Sequence, residues 1–254
     1  MNQPTNTSRT AGFTLIELML SMTFVSVLLL TIALTVIQMA TVYNRGMTLK
    51  EVNQSARDIS DDLRRSFASS QVFSINVDGS DSSDYIKVGT GTSTVGGRLC
   101  TGTDSYIWNF GRALEANDSL LTRTLSSSGA QEAPIRFVRV PDRDKIYCLK
   151  DGVNPANRHI TNADARNMTD LLDVGDHKLA LHSFKVTTTN EAHDPSINQR
   201  LYSVTYTIGS GSVSAMNLTA TPIKCLDPSD PNSNLTYCNV QQFTIVLRVG
   251  YTVN

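Results

Sequence analysis

The chain has 254 residues, a formal net charge of −1 and 18% charged side chains, below the roughly one quarter usual in soluble domains. That balance offers no broadly basic surface, so no nucleic-acid partner is expected. The length accommodates one sizeable domain plus an extra helix, or two small domains, and the abundance of Ser, Thr and Asn suits a β-rich exported domain better than a cytosolic helical enzyme.

Residues 1–12, MNQPTNTSRTAG, hold no large apolar side chain after Met1 and one cation, Arg9. At Gly12-Phe13 the sequence turns abruptly apolar, and from Leu18 to Asn44 no side chain is charged. Roughly 20 such residues are needed to cross a hydrocarbon core about 30 Å thick. A secretory signal peptide or plain signal anchor is the simplest account of such a run. An ordinary signal peptide, however, places its small-residue cleavage site after the apolar stretch. Here the small pair Ala11-Gly12 precedes it, and cleavage at that point leaves the apolar helix on the mature chain.

Glu17 separates the two accounts further. A carboxylate in hydrocarbon is expensive and rare unless paired. Cleavage between Gly12 and Phe13 creates a cation four residues away, the new α-amino group of Phe13, on the same helix face. An acid in the first turn also complements the helix dipole. The same ammonium on a neighbouring copy is the other available partner.

The segment Gly12-Phe13-Thr14-Leu15-Ile16-Glu17-Leu18-Met19 resembles the N-terminal motif of type IV pilins and type II secretion pseudopilins. The resemblance covers only the first quarter of the chain. It implies a leader ending at Gly12, removed by a prepilin peptidase that N-methylates Phe13, and an assembly carboxylate at Glu17. It implies a single-pass inner-membrane subunit with its head outside the cytoplasm, drawn into a filament by an assembly platform alongside other subunits. Many major pilins interrupt the apolar helix with proline. This sequence has no proline between Pro4 and Pro134, and Gly46 is its only helical glycine after Gly12.

Beyond Arg45 the pattern turns amphipathic. Val52, Ala56, Ile59, Leu63 and Phe67 recur at helical spacing, with Lys50, Glu51, Arg57, Asp58, Asp61, Asp62, Arg64 and Arg65 on other faces. This predicts one helix from Phe13 to about Ser69, roughly 85 Å long. Its first half is apolar all round, and its second half should bury one face against a globular head. Residues 56–65 are similar in style to the J-type minor pseudopilin and the W-type minor pilin, and a head of about 185 residues suits a low-copy tip subunit. The expected organisation is a leader at 1–12, a helix at 13–70 with its membrane part about 13–40, and a head at 71–254.

In the head, β-branched and aromatic runs alternate with turn-rich stretches. Strands are predicted over 72–77, 84–88, 106–110, 135–140, 145–149, 180–189, 200–208, 213–220 and 241–253, with a short helix over Asn162 to Leu172. Asp78 to Ser83 and Gly89 to Gly97 are predicted loops. The resulting class is α+β, an antiparallel sheet on the second half of a long N-terminal helix. Cys100, Cys148, Cys225 and Cys238 form no C-x-x-C pair, and no histidine lies at zinc-finger spacing from them, which argues for disulfides. Three connectivities are open; Cys225–Cys238 and Cys100–Cys148 are the expected ones. The C-terminal loop is similar to the disulfide-bounded region of many type IV pilins.

The oxygen-rich loop from Asp227 to Asn234, with Asp227 and Asp230, is a calcium candidate but lacks an EF-hand pattern and also matches an ordinary turn. No cofactor is therefore expected. The Gly-rich run 89–97 lacks the Lys and Ser/Thr of a phosphate loop. His159, His177, His182 and His193 lie apart with no nucleophile motif, and no G-x-S-x-G occurs. A structural subunit is the leading expectation, ahead of a membrane-anchored adhesin or binding protein and of an anchored enzyme.

Overall fold

The structure is a computed structural model describing residues 12–89, 94–149, 158–172, 178–188, 200–234 and 237–250. The chain divides into two compact units, with the boundary at Asn44 and Arg45. Helix α1 (Leu15–Ser69) contributes to both. The globular unit therefore begins inside α1, well before residue 71, because the second half of the helix is part of its core.

In that unit α1 buries Val52, Ala56, Ile59, Leu63 and Phe67, the side chains predicted from their spacing, together with Thr48 and Ser66. The helix stops without glycine or proline. The Ser69 and Ser70 hydroxyls both donate to Ser66 O, at 2.9 and 2.6 Å, competing for the carbonyls of the last turn. Phe73 then folds back edge-on against Phe67 and stacks on Tyr202.

The head contains β1 (Tyr85–Val88), β2 (Gly96–Cys100), β3 (Asp104–Asn109), α2 (Gly111–Ala116), β4 (Arg123–Leu125), β5 (Gln131–Pro134), β6 (Phe137–Pro141), α3 (Asn162–Ala165), β7 (Thr169–Asp170), β8 (Ala180–Thr188), β9 (Arg200–Gly209), β10 (Met216–Asn217), β11 (Lys224–Cys225) and β12 (Val240–Val249). One antiparallel sheet has the order β1-β2-β3-β6-β7 and a second the order β12-β9-β8; β4-β5 and β10-β11 are two-stranded. A parallel bridge between Phe110 and Leu181 joins the two larger sheets. Their inner faces supply Tyr85, Tyr106, Trp108, Phe137, Phe184, Tyr202 and Tyr206 to one core around the α1 stripe.

The first sheet is also covered on its other face. Ile86, Ile107, Val138 and Val140 pack with Tyr147, Cys148 and Ile160, and the Cys100–Cys148 disulfide fastens this layer. The other disulfide is Cys225–Cys238. Arg98 lies wholly buried here, donating to the carbonyls of Tyr147 and Arg158 and to Thr122 Oγ1. It thereby ties Tyr147 and Arg158 to the sheet.

Several predicted elements are corrected. Residues 72–77 are not a strand, because their backbone is partnered by side chains: Tyr202 Oη bonds both the N–H and the carbonyl of Phe73, and Asp84 accepts from Ser74 N. Residues 145–149 form turns, with Lys145 in left-handed backbone and Cys148 N–H bonded to Lys145 O. The 213–220 stretch contributes only β10, since the Asn217 side chain accepts from Thr219 and Ala220 and closes a turn. The helix expected over 162–172 is the single turn α3, followed by β7. Strands β2, β4, β5 and β11 and helix α2 were not predicted, and residue 189 and residues 251–253 of two predicted strands lie outside the described residues.

Candidate functional site

Gly12 and Phe13, between which the sequence places a cut, lie ahead of α1 with only Thr14 intervening, and Phe13 is 82% exposed. Thr14 caps the helix. Its N–H and hydroxyl both donate to Glu17 Oε2, at 3.0 and 2.9 Å, while Glu17 N–H lies 3.4 Å from Thr14 Oγ1. This is the reciprocal arrangement of a capping box, in which Thr at the cap and Glu three residues later satisfy each other's unpaired groups. The Thr-x-x-Glu spacing is legible in the sequence, yet only the ammonium partner was expected there. Glu17 Oε1 takes part in none of these bonds, so one carboxylate oxygen remains available while the cap is intact.

From Gly12 to Tyr43 every described side chain is exposed, and this half of α1 is long and apolar enough to cross a membrane. Its Ser and Thr hydroxyls are satisfied within the helix. The hydroxyls of Ser21, Thr23, Ser26, Thr31, Thr35 and Thr41 each donate to a carbonyl three or four residues earlier, at 2.7 to 3.0 Å. Such back-bonding lets Ser and Thr reside in hydrocarbon without an orphan polar group. A continuous exposed apolar surface of this extent requires a cover, either lipid or other protein.

The globular unit grips its part of α1 through polar contacts as well as through the core. Tyr206 Oη bonds Ala56 O at 2.8 Å and the Ser60 hydroxyl at 2.7 Å. Arg139 on β6 is flanked by two carboxylates. Its Nη1 is 3.4 Å from Asp104 Oδ1, and its Nε is 3.2 Å from Asp62 Oδ1, an ion-pair distance without hydrogen-bond alignment. Tyr106 Oη donates to Asp62 Oδ2 and Ser66 Oγ to Asp104 Oδ2. Burial raises the Asp62 carboxyl above its ordinary value, against the lowering effect of Arg139 and Tyr106. Composition and spacing pointed to a solvated charged face on this helix; only the fold shows that Asp62 faces Arg139.

The remaining candidates are dispersed. Asp227 lies 3.6 Å from Lys224, whereas Asp230 uses its side chain to accept from Asn232 N–H in a local turn. Among the described residues no group of three His, Cys, Asp or Glu side chains is placed to hold a metal ion. His182 is buried, its Nε2 donating to Ser210 O at 3.0 Å, and desolvation pushes it down to about 4. His159 Nδ1 accepts from Arg123 N–H. His177 and His193 lie outside the described residues, as do residues 90–93 of the glycine-rich run; Gly96 and Gly97 of that run open β2.

Compared with known proteins, the chain matches no family model, no curated protein and no solved structure. Its architecture is a long N-terminal helix, apolar in its first half, followed by a head of antiparallel sheets.

Proposed function

We propose that the chain is a minor structural subunit of a type IV pilus or type II secretion pseudopilus, cut between Gly12 and Phe13 and assembled through α1. The observation that carries this reading is the junction itself. A polar leader gives way at Phe13 to a helix whose first half is exposed, apolar and charged only at Glu17.

In this reading the first half of α1 holds the subunit in the inner membrane until it is transferred, apolar surface intact, into the bundle of helices of a filament. Cleavage by a prepilin peptidase frees the Phe13 ammonium, which the same enzyme methylates. Thr14 lies beyond the cut, so the cap survives processing and keeps Glu17 oriented. Glu17 Oε1 then receives an ammonium, that of its own chain in the membrane or that of a neighbour during docking. The head, built on the second half of the helix, is large for a major subunit and suits one that initiates or tips the filament.

Mass spectrometry of the mature N-terminus tests the cut, which must begin at Phe13. Filament incorporation tests Glu17. Glu17→Val removes both cap and charge, whereas Glu17→Gln keeps a capping partner and removes the charge alone. Both variants are expected to fail to enter filaments. Normal incorporation of Glu17→Gln rejects the charge-pairing role, and a mature terminus elsewhere rejects the whole reading.

A further inference from the structure

The head carries a cleft of about 670 Å³ that none of the preceding functions uses. Glu115 from α2, Arg136 from the residue before β6, Lys178 from the approach to β8, Ser212 from the loop after β9, and Asn232 and Tyr237 from the loop closed by Cys225–Cys238 line it.

Its cationic side is built rather than incidental. Arg136 Nη1 donates to Lys178 O and Leu179 O, at 3.1 and 2.6 Å. The guanidinium is thus pinned through one nitrogen, and its Nε and Nη2 edge takes no partner among the described residues. Lys178 has a φ of 45°, a left-handed conformation that non-glycine residues adopt at a cost and that is concentrated at functional sites. Gly211 closes against both: a Cβ there would lie 2.3 Å from Lys178 O and 3.6 Å from Arg136 Nη1. Across the cleft, Glu115 Oε2 is already engaged by Val213 N–H at 2.9 Å.

The cleft therefore holds two cations against one partly engaged carboxylate, with hydroxyl and amide groups that both donate and accept. Tyr237, a residue 52% exposed, adds an aromatic ring. Besides the Tyr237 ring and Cys238, the apolar side chains that line it are Leu114, Ala180 and Ala215, of which only Leu114 is large, whereas a peptide's anchor takes a pocket walled by several large apolar groups.

We propose that this cleft binds an acidic saccharide. The sugar carboxylate takes the free Nε and Nη2 edge of Arg136, the planar fork that matches a carboxylate in two bonds. Ser212 and Asn232 hydrogen-bond the ring hydroxyls, Tyr237 covers a ring face, and Lys178 adds charge at the rim. This inference stands apart from the filament reading, since neither the Gly12–Phe13 cut nor Glu17 enters it.

The test is titration calorimetry of the full-length chain in detergent micelles. The probes are a glucuronate-containing disaccharide, its neutral analogue with the carboxylate reduced to an alcohol, and an acetylated tripeptide with a free C-terminal carboxylate. The expected result is saturable binding of the acidic disaccharide, with both other probes at least about ten-fold weaker. Arg136→Gln should weaken the acidic sugar about ten-fold while leaving the neutral analogue within about two-fold. Should Arg136→Gln fail to fold, Lys178→Asn removes a charge while tolerating left-handed backbone, and should weaken the acid about three-fold. Lys87→Gln, outside the cleft, should bind as the parent does. Absence of saturable binding overturns the proposal. So does equal affinity for the neutral sugar or the peptide, or unchanged affinity for the acid in a folded Arg136→Gln or Lys178→Asn chain.

Discussion

Arg139→Met removes the one guanidinium that stands between Asp62 on α1 and Asp104 on β3. At 3.2 and 3.4 Å, each pairing has a gross Coulomb energy of about 5 kcal/mol at an effective dielectric of about 20. The net value is much smaller, because both charges were desolvated to form the pair. Removing one partner from a fully buried pair costs about 3–5 kcal/mol, chiefly from the charge left behind. Arg139, Asp62 and Asp104 retain 30%, 19% and 12% side-chain exposure, so water recovers part of that loss and about 2–3 kcal/mol is expected. The sign of the pH dependence follows from Asp62, whose carboxyl already sits above its ordinary value. Loss of Arg139 raises it further, so the folded variant binds more protons than the unfolded chain between the two values. Its deficit is therefore full at pH 7 and shrinks as pH falls from the variant's folded value to the parent's, itself above 3.8. Urea unfolding of the full-length chain in detergent, followed by the fluorescence of its single tryptophan, Trp108 on β3, measures both. Asp62→Asn in the same background should restore part of the loss, and with Asp62→Asn alone it completes the cycle that gives the coupling energy. A cost below about 0.5 kcal/mol at pH 7, or a deficit that widens on acidification, refutes a desolvated network.

Gly97→Ala places a methyl 2.5 Å from Trp108 Cζ2 and 2.8 Å from Ile86 O; a loss of about 1–3 kcal/mol and a shifted Trp108 emission spectrum are expected. His182 is held neutral, with a folded value of about 4 against 6.5 unfolded. Its contribution is complete above pH 6.5 and is lost as pH falls toward 4, roughly 3 kcal/mol in all, so His182→Gln should flatten the melting-temperature profile over that range. Cys100 and Cys148 are 48 residues apart and Cys225 and Cys238 are 13 apart. On loop entropy, replacing the first pair with alanine should cost about 4 kcal/mol and the second about 3 kcal/mol, compared by urea unfolding.

What the sequence alone determined is what depends on period and local chemistry. Positions 52, 56, 59, 63 and 67 share a helix face whatever they pack against, so the buried stripe of α1 could be named in advance. The Gly12–Phe13 junction, the isolated Glu17 and the even cysteine count were legible for the same reason. β-Branched and aromatic composition identified β8, β9 and β12, where at least part of one sheet face meets solvent: Lys185, Thr244 and Val246 are exposed while their in-sequence neighbours turn inward. It failed for β2, whose Gly-Gly-Arg-Leu-Cys is buried on both faces and carries no period-two signal.

Only the tertiary structure decided the rest, because those features join residues far apart in the chain. Arg98 donates through its terminal nitrogens to carbonyls 49 and 60 residues away, and Tyr202 takes up the backbone of Phe73 from 129 residues away. Asp62 resembled any exposed helix charge until Arg139 stood opposite it. The cleft around Arg136 is assembled from five separate segments, each unremarkable in sequence. Periodicity records which side of an element faces inward; which groups meet there is set by how the elements pack.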